Sequence, residues 1–379
     1  MTLGGAGMYI VTVALPPIQA EFGIDRSAAS LPYTATMIGF GLGGILMGRL
    51  ADRFGVMVPV IVGTLSLGTG FVVAAFARDI GQYTLAQGVL IGLFGCSATF
   101  APLVADASLW FHRRRGIAVA ICASGNYLGG AIWPPVVQHF FDQVGWRNTY
   151  MGVGAFCVAA MLPLALVLRP RPPELSPLGV AGVASVQRTI RLPSRLVLVL
   201  LCVAGVSCCV AMSMPQVHIV ALCGDFGFPA ARGAEMLSLM LGFGIVSRLT
   251  SGWICDRIGG LRTLLLGSSL QAIALMLFVR ADGLTSLYVV SALFGLFQGG
   301  IVPSYAIIAR EYFEPKQAGT TVSLVLTSTL FGMALGGWMS GAIFDLTGSY
   351  RAAFFNGIGW NLLNLTIATT LLLRTRKPL

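Results

Sequence analysis

The strongest constraint on this chain is a series of apolar windows, each about 20 residues long, that recur along its whole length. A bilayer core about 30 Å thick needs about 20 apolar residues to cross it as a helix. Only 10% of the 379 residues are charged and 56% are hydrophobic, whereas soluble domains carry about 25% charged residues. We therefore expect an all-α polytopic membrane protein.

Twelve membrane spans, numbered 1 to 12 in chain order, are predicted from these windows. Their predicted bounds are 3–20, 30–50, 57–77, 83–108, 116–138, 148–168, 196–216, 233–253, 261–280, 285–308, 318–340 and 352–373. The one long connection is 169–195, whose prolines and arginines indicate a cytoplasmic linker. The expected domains are therefore a six-span bundle in 1–168, this linker, and a second six-span bundle with a short tail in 196–379.

Lysine and arginine are distributed unequally between the two ends of the spans. Seventeen of the 24 lie at the end that holds both termini, six lie at the other end, and Arg248 lies within span 8. Because cytoplasmic loops carry the excess of Lys and Arg, we expect both termini to be cytoplasmic, in the inner (plasma) membrane of a bacterium. The net charge of +10 is then a topology signal, so the expected surroundings are membrane lipids, with no nucleic-acid partner and a functional monomer.

The eight cysteines and the start of the chain carry weaker signals. The cysteines lie mostly in apolar runs and form no CxxC motif, so we expect small hydrophobic side chains, with no metal and no cofactor. Span 1 begins almost at Met1 without a charged segment before it. A signal peptide is therefore not indicated, and our hypothesis is that the first helix begins upstream of Met1.

An internal repeat relates the two predicted bundles. "GRLADRFG" (48–55) matches "GWICDRIGG" (252–260) at an offset of 204 residues, and 115–147 matches 318–351 at an offset of 203. Each half has six spans, so both halves insert in the same orientation. This predicts a pseudo-two-fold axis along the membrane normal and a substrate site between the halves.

The repeated motifs resemble those of a known family. "GRLADRFG" resembles the loop signature of the major facilitator superfamily, although "VMVPV" (56–60) replaces the basic residues that usually follow it. "WFHRRRGIAVAICASG" and "PPVVQHFFDQVGWR" resemble the monocarboxylate transporter and oxalate:formate antiporter branch. The resemblance covers all twelve spans. It implies a secondary transporter in which two six-span bundles rock about a central site.

Arg248 is the main candidate for a substrate ligand. It lies eight residues before Asp256, or about 12 Å along a helix, and its repeat mate is Gly44. An intramembrane arginine is costly and usually faces a cavity or an anion; snorkelling to the cytoplasmic edge or a structural ion pair is the alternative. In the resembled family an arginine at this place in span 8 holds the substrate carboxylate, which suits the planar guanidinium.

The surroundings of Arg248 favour a singly charged anion. Span 11 contains no Lys or Arg, whereas the oxalate branch carries a second cation there. Span 1 has no lysine, and position 244 is glycine. Proton-coupled relatives carry a lysine and an aspartate at those places, so the resemblance does not extend to their coupling scheme.

Further candidate residues fall into three groups. Candidates for lining the cavity, with ordinary packing as the alternative, are Tyr9, Phe100, Asn126, Tyr127, Tyr305 and Phe331. Candidates for proton coupling, with loop polarity or an ion pair as the alternative, are Asp106 in span 4, His218 after span 7 and Glu235 at the start of span 8. Candidates for conformational latches, which could cap a helix N-terminus and form ion pairs, are Asp52, Arg53, Asp256 and Arg257.

The expected function is secondary active transport of a small organic anion, with a monocarboxylate and protons as the expected substrates. One alternative is a facilitator or exporter of an amphiphilic, drug-like solute in which Arg248 is structural. Another is a sensor with a transporter fold that binds without translocation. The sequence contains no nucleotide-binding loop and no HExxH motif, so an enzyme is not expected.

Overall fold

The computed structural model describes residues 1–110, 115–169, 190 and 192–375. The helices are Ala6–Val13 and Leu15–Phe22 in span 1; Arg26–Phe54 in span 2; Met57–Ala75 in span 3; Ile80–Leu85, Ala86–Cys96 and Ala101–Trp110 in span 4; Arg115–Val167 in spans 5 and 6; Ser194–Asp225 in span 7; Ala230–Ile258 in span 8; Gly260–Arg280 in span 9; Leu284–Gln298 and Ile301–Tyr312 in span 10; Pro315–Thr347 in span 11; and Tyr350–Leu373 in span 12. Within these described ranges, nine helices are long and apolar enough to cross a membrane. The prediction of an all-α membrane protein with twelve spans is confirmed. Most of the predicted linker 169–195, and the chain after 375, lie outside the described residues.

Several spans depart from regular, uninterrupted helices. Spans 5 and 6 are two helices that meet directly at Gly145, where φ is 79° and ψ is 160° and the backbone is not helical. A left-handed φ of this kind favours glycine because it has no Cβ. Span 4 contains a π-helical stretch over Ala86–Cys96, and span 10 is interrupted at Gly299 and Gly300.

The predicted end of span 7 was wrong. We expected the span to end at residue 216, but its helix continues to Asp225. His218 therefore lies inside the helix and is only 2% exposed. Its polarity suggested a loop, but both ring nitrogens have hydrogen-bond partners, which removes the main cost of burying the imidazole.

The N-terminal half (spans 1–6) and the C-terminal half (spans 7–12) meet along two pairs of helices. Spans 2 and 11 form one contact, which we call the 2/11 seam, where Thr34 Oγ1 donates to the Ala334 carbonyl at 3.0 Å. Spans 5 and 8 form the 5/8 seam, where Ser238 Oγ donates to the Ala131 carbonyl. Small residues at such places allow helices to approach closely.

The two ends of the molecule differ in how tightly the halves meet. At the end with few arginines, which we call the arginine-poor end, both seams are closed. Toward the opposite, arginine-rich end, none of residues 117–126 in span 5 is buried, and only Ser247 and Cys255 are buried among residues 245–258 of span 8. Buried residues are thus sparse on both helices of the 5/8 seam at this end, although Arg248 still reaches the Ala123 carbonyl. The space between the halves therefore opens toward the arginine-rich end.

Candidate functional site: a cation on the 5/8 seam

Arg248 lies on the 5/8 seam and reaches from the C-terminal half to the N-terminal half. It is ten residues before Ile258, or about 15 Å along the helix. Its Nη1 donates to the Ala123 carbonyl at 3.3 Å, and its guanidinium carbon lies 4.3 Å from the centroid of the Tyr127 ring. The Nε atom is buried without a hydrogen-bond partner. The guanidinium thus keeps an unused donor at the place where the two halves meet.

Arg248 also carries its charge inside a span without an acidic partner in the described part of the chain. No acidic side chain of the described residues forms an ion pair with it, whereas three arginines toward the arginine-poor end have such partners. These pairs are Arg26–Asp225, Arg147–Glu21 and Arg232–Glu235. A charged side chain inside a membrane span usually faces a water-filled cavity or a partner of opposite charge.

Gly244 makes room for the aromatic partner of Arg248. It precedes Arg248 by four residues and therefore lies on the same face of span 8. A Cβ atom at Gly244 would lie 2.6 Å from a ring carbon of Tyr127, which is shorter than van der Waals contact. The Tyr127 ring, which is 8% exposed, therefore packs against a bare helix backbone on one side of the cation.

Two more tyrosines lie close to Tyr127, and one of them, Tyr9, is also close to Arg248. Tyr9 of span 1 is near enough to Arg248 and Tyr127 for electrostatic interaction, and Tyr33 of span 2 interacts in the same way with Tyr9 and Tyr127. Within the described part of the chain, no residue hydrogen-bonds to the hydroxyl of any of these three tyrosines. The N-terminal half thus supplies free hydroxyl groups, and the C-terminal half supplies the cation.

Sequence reasoning missed Tyr33. It is 4% exposed and packs against Gly337 of span 11, where a Cβ would lie 2.8 Å from the ring. The available signal was the same as for Tyr9, since both are lone tyrosines inside an apolar span. A phenol in lipid needs a polar partner, so every such tyrosine was a candidate.

No contact with Arg248 is described for the other predicted lining residues. Tyr305 is fully buried, and its hydroxyl donates to Asn364 Oδ1 of span 12 at 2.8 Å. Phe100 packs against Phe40 with ring centroids 5.7 Å apart. Asn126 faces the backbone of Gly5, and Phe331 is 46% exposed on span 11. Of the predicted lining residues, Tyr9 and Tyr127 are the ones brought to the cation.

Two of the three candidates for proton coupling have local partners. Glu235 pairs with Arg232 at 3.0 Å and accepts a hydrogen bond from the Tyr288 hydroxyl. Asp106 accepts from Trp110 Nε1 at 3.1 Å within its own helix. Both arrangements match the structural alternative, a local ion pair or loop-edge polarity.

We expected His218 to lie outside the membrane, after span 7, but it lies inside the protein. Its Nε2 lies 2.8 Å from the Gly337 carbonyl and its Nδ1 lies 2.8 Å from the Tyr350 hydroxyl. A carbonyl only accepts, so Nε2 carries a hydrogen. Arg26 Nη1 donates to the Tyr350 oxygen at 3.0 Å, which leaves the phenol hydrogen for Nδ1. All of these atoms are satisfied when the imidazole is neutral.

The four predicted latch residues lie exposed at the arginine-rich end. The helix caps that we expected from Asp52 and Asp256 are not formed. The N-terminus of span 9 is instead capped by Glu311, whose carboxylate lies 3.2 Å from the Gly260 amide, because span 10 brings that side chain to the helix end. Neither aspartate forms an ion pair with a described residue.

The two latch arginines stack on neighbouring aromatic rings. The guanidinium carbon of Arg257 lies 3.6 Å from the centroid of Trp253, and that of Arg53 lies 5.1 Å from the centroid of Phe54. In this conformation no contact between the four latch residues and the other half is described.

Two helical halves around one central cation define an integral membrane protein of the transporter class. The family model of the Major Facilitator Superfamily matches residues 1–286 and 201–379. The chain belongs to this family of transporters, which confirms the resemblance seen in its motifs.

Individual proteins agree with this assignment. Monocarboxylate transporter 13 of Bos taurus is 28% identical over 374 residues, which cover 93% of this chain and 86% of the relative. Human monocarboxylate transporter 11 is 29% identical over 360 residues, which cover 90% of this chain and 74% of the relative. The crystal structure of a mutant of the nucleoside transporter NupG has the same fold, with a TM-score of 0.78, 14% identity and 98% of each chain covered.

Proposed function

We propose that this protein is a secondary active transporter of small monocarboxylates, and that Arg248 binds the substrate carboxylate. The observation that carries the proposal is the cation itself. Arg248 lies within a membrane span, at a seam between the halves, with a buried Nε that has no partner and without an ion pair to any described acid. The similarity to monocarboxylate transporters supports the same substrate class.

The geometry suggests how a carboxylate would bind. It would enter from the arginine-rich end and accept two parallel hydrogen bonds from the guanidinium of Arg248, the arrangement that makes such pairs strong. Hydroxyls of Tyr9 and Tyr33 would donate from the opposite half. The bound anion would then link the two halves, so that binding favours the closed, occluded conformation.

The charge at the site favours one carboxylate over two. A single anionic group neutralises Arg248, whereas a second carboxylate would remain unpaired in a region of low dielectric, at a cost of several kcal/mol. The expected substrates are therefore short monocarboxylates such as lactate or pyruvate, and succinate would be a poor substrate.

Uptake into proteoliposomes tests the proposal. We expect the wild-type protein to take up labelled lactate or pyruvate, the variant Arg248→Ala to lose uptake, and Arg248→Lys to retain only a small part of it because lysine cannot form the bidentate pair. Uptake of monocarboxylates by Arg248→Ala at the wild-type rate would contradict the role of Arg248. The exposed Arg280→Ala serves as a control for loss of a positive charge.

The same measurement separates the two alternatives. Flux of neutral or cationic amphiphiles that does not depend on Arg248 would indicate a facilitator or exporter. Specific binding without flux of any solute would indicate a sensor. Both functions retain the fold and the family, so transport has to be measured directly.

Coupling to protons and membrane orientation complete the proposal. Of the three proton candidates, His218 alone is joined to residues that contact the other half, through Tyr350 and Arg26. We expect a proton gradient to drive uphill uptake, and His218→Gln to weaken that drive more than it weakens exchange at equal concentrations.

We expect reporters fused to either terminus to be active on the cytoplasmic side.

A further inference from the structure

The N-terminus of span 2 is capped by a carboxylate that comes from the other half of the protein. The backbone amides of Arg26 and Ser27 donate to Asp345 Oδ1 and Oδ2 at 2.9 and 2.8 Å. The first amides of a helix have no partner within the helix, and a negative charge there interacts favourably with the helix dipole. Asp345, near the end of span 11, satisfies both amides together.

The side chain of Arg26 reaches into the same half as Asp345. Its two terminal nitrogens donate to the carboxylate of Asp225 in span 7 at 3.0 and 3.3 Å, and Nη1 also donates to the Tyr350 hydroxyl at 3.0 Å. The guanidinium carbon lies 4.6 Å from the centroid of the Phe344 ring. The side chain is 11% exposed, so water competes little with these contacts.

Two features show that this region is built for close contact. A Cβ at Gly341 of span 11 would lie 2.8 Å from the Arg26 carbonyl oxygen and from the Ser27 Cα, so the helices approach to a distance that glycine alone permits. His218 is hydrogen-bonded to Tyr350 and to the Gly337 carbonyl. The phenol that receives Arg26 is thereby fixed in position.

The repeat provides an internal comparison. The mate of Asp345 is Asp142, which has the same place in the first half. Asp142 accepts a hydrogen bond from Gln138 Nε2 at 2.8 Å within its own helix, and no contact to the other half is described for it. Among the described residues, the cap across the seam is found at the 2/11 seam and not at the 5/8 seam, so the repeated architecture does not require it.

From this geometry we infer that Asp345 and Arg26 form the gate that closes the substrate path at the arginine-poor end. These hydrogen bonds form one network across the seam. Its donors belong to Arg26 and Ser27 in the N-terminal half, and its acceptors, Asp345, Asp225 and Tyr350, belong to the C-terminal half. The network can form only when the halves meet at this end, while the opposite end is open. Opening the arginine-poor end must break every one of these contacts. This assignment goes beyond the proposed substrate and does not depend on it.

Backbone amide exchange reads out this gate directly. The amides of Arg26 and Ser27 are protected by the other half of the protein, so they should exchange with deuterium whenever the gate opens. For the ligand-free, full-length protein in lipid nanodiscs, we expect Asp345→Ala to accelerate exchange at these two amides by about tenfold, because the variant loses the free energy that a helix cap contributes. Exchange within the cores of spans 9 and 12 should not change. Asp142→Ala is the matched control and should leave the two amides protected.

A distance measurement keeps the inference testable if one variant does not fold. Spin labels carried by noncanonical amino acids at Arg78 and Arg280, which are exposed on opposite halves at this end, should report a longer distance in Asp345→Ala and in Arg26→Gln. Arg26→Gln retains the backbone cap but loses the ion pair. Wild-type distances in both variants together with unchanged amide protection would overturn the inference, as would an equal effect of Asp142→Ala. Failure of carboxylate transport would leave these readouts unaffected.

Discussion

The guanidinium of Arg248 rests on the ring of Tyr127, so that the central cation of one half is held by an aromatic face of the other. The ring supports the positive charge without neutralising it, because a cation–π contact consumes none of the N–H donors. A carboxylate in the same place would have cancelled the charge. The site is thus oriented while it remains available to an anion.

Enlarging Gly244 should disturb this support. The added methyl group of Gly244→Ala would meet the Tyr127 ring at 2.6 Å and push it out of its place, and we expect about tenfold weaker binding of a monocarboxylate, or about 1.4 kcal/mol. Titration of purified protein with lactate or pyruvate by calorimetry measures this. Gly242→Ala is the matched control, since a Cβ there meets no atom within 4 Å. Equal affinities in both variants would contradict the role of the ring.

Shortening the aromatic side chain tests the same contact from the other half. Tyr127→Phe keeps the ring beneath Arg248 and should retain most of the affinity, whereas Tyr127→Leu removes the π face and should lower affinity by about 0.5–2 kcal/mol. Binding isotherms of the two variants decide the matter. A larger loss in Tyr127→Phe than in Tyr127→Leu would assign the effect to the hydroxyl group instead.

Asp52 should matter for movement and not for binding. Asp52→Asn removes a charge at the arginine-rich end, where the proposed latch contacts would form in the opposite conformation, so we expect slower transport with carboxylate binding still measurable. Uptake rate and dissociation constant are compared on the same preparation. Asp282→Asn alters an exposed carboxylate at the other end and should change neither. If binding and transport are lost together while the fold is intact, Asp52 is not a latch.

Tyr305 should matter for stability. Tyr305→Phe leaves Asn364 Oδ1 without its donor in a fully buried place, and such an unsatisfied group costs about 1–3 kcal/mol. We expect a lower thermal transition temperature and an unchanged dissociation constant for the carboxylate. If Tyr305→Phe has wild-type stability but binds the carboxylate more weakly, Tyr305 is part of the substrate site, as the sequence predicted.

The sequence predicted the helices well because their cause is local. Apolar windows determine where a chain can cross a bilayer, and the repeat determines how the two halves are related. His218 was misplaced because its burial depends on Tyr350 and the Gly337 carbonyl, which are more than a hundred residues away. No periodicity signals such a contact.

The gate at the arginine-poor end escaped prediction for a similar reason. Arg26 is one of the six cations at the arginine-poor end, and Asp345 lies within the repeated segment 318–351. Their partnership crosses 319 positions of the chain. Arg248, by contrast, could be identified as a candidate site residue from the sequence, because a charged residue within an apolar window is visible without knowledge of the fold.

Residues 117–126 of span 5 have no buried face, and this affects how the protein can evolve. Side chains with few neighbours can be exchanged at a cost of only about 0.5 kcal/mol in stability. This segment can therefore accept substitutions at a lower cost in stability than the buried helices around it. On the proposed substrate path, single substitutions there would offer a physical route by which one fold comes to serve many solutes.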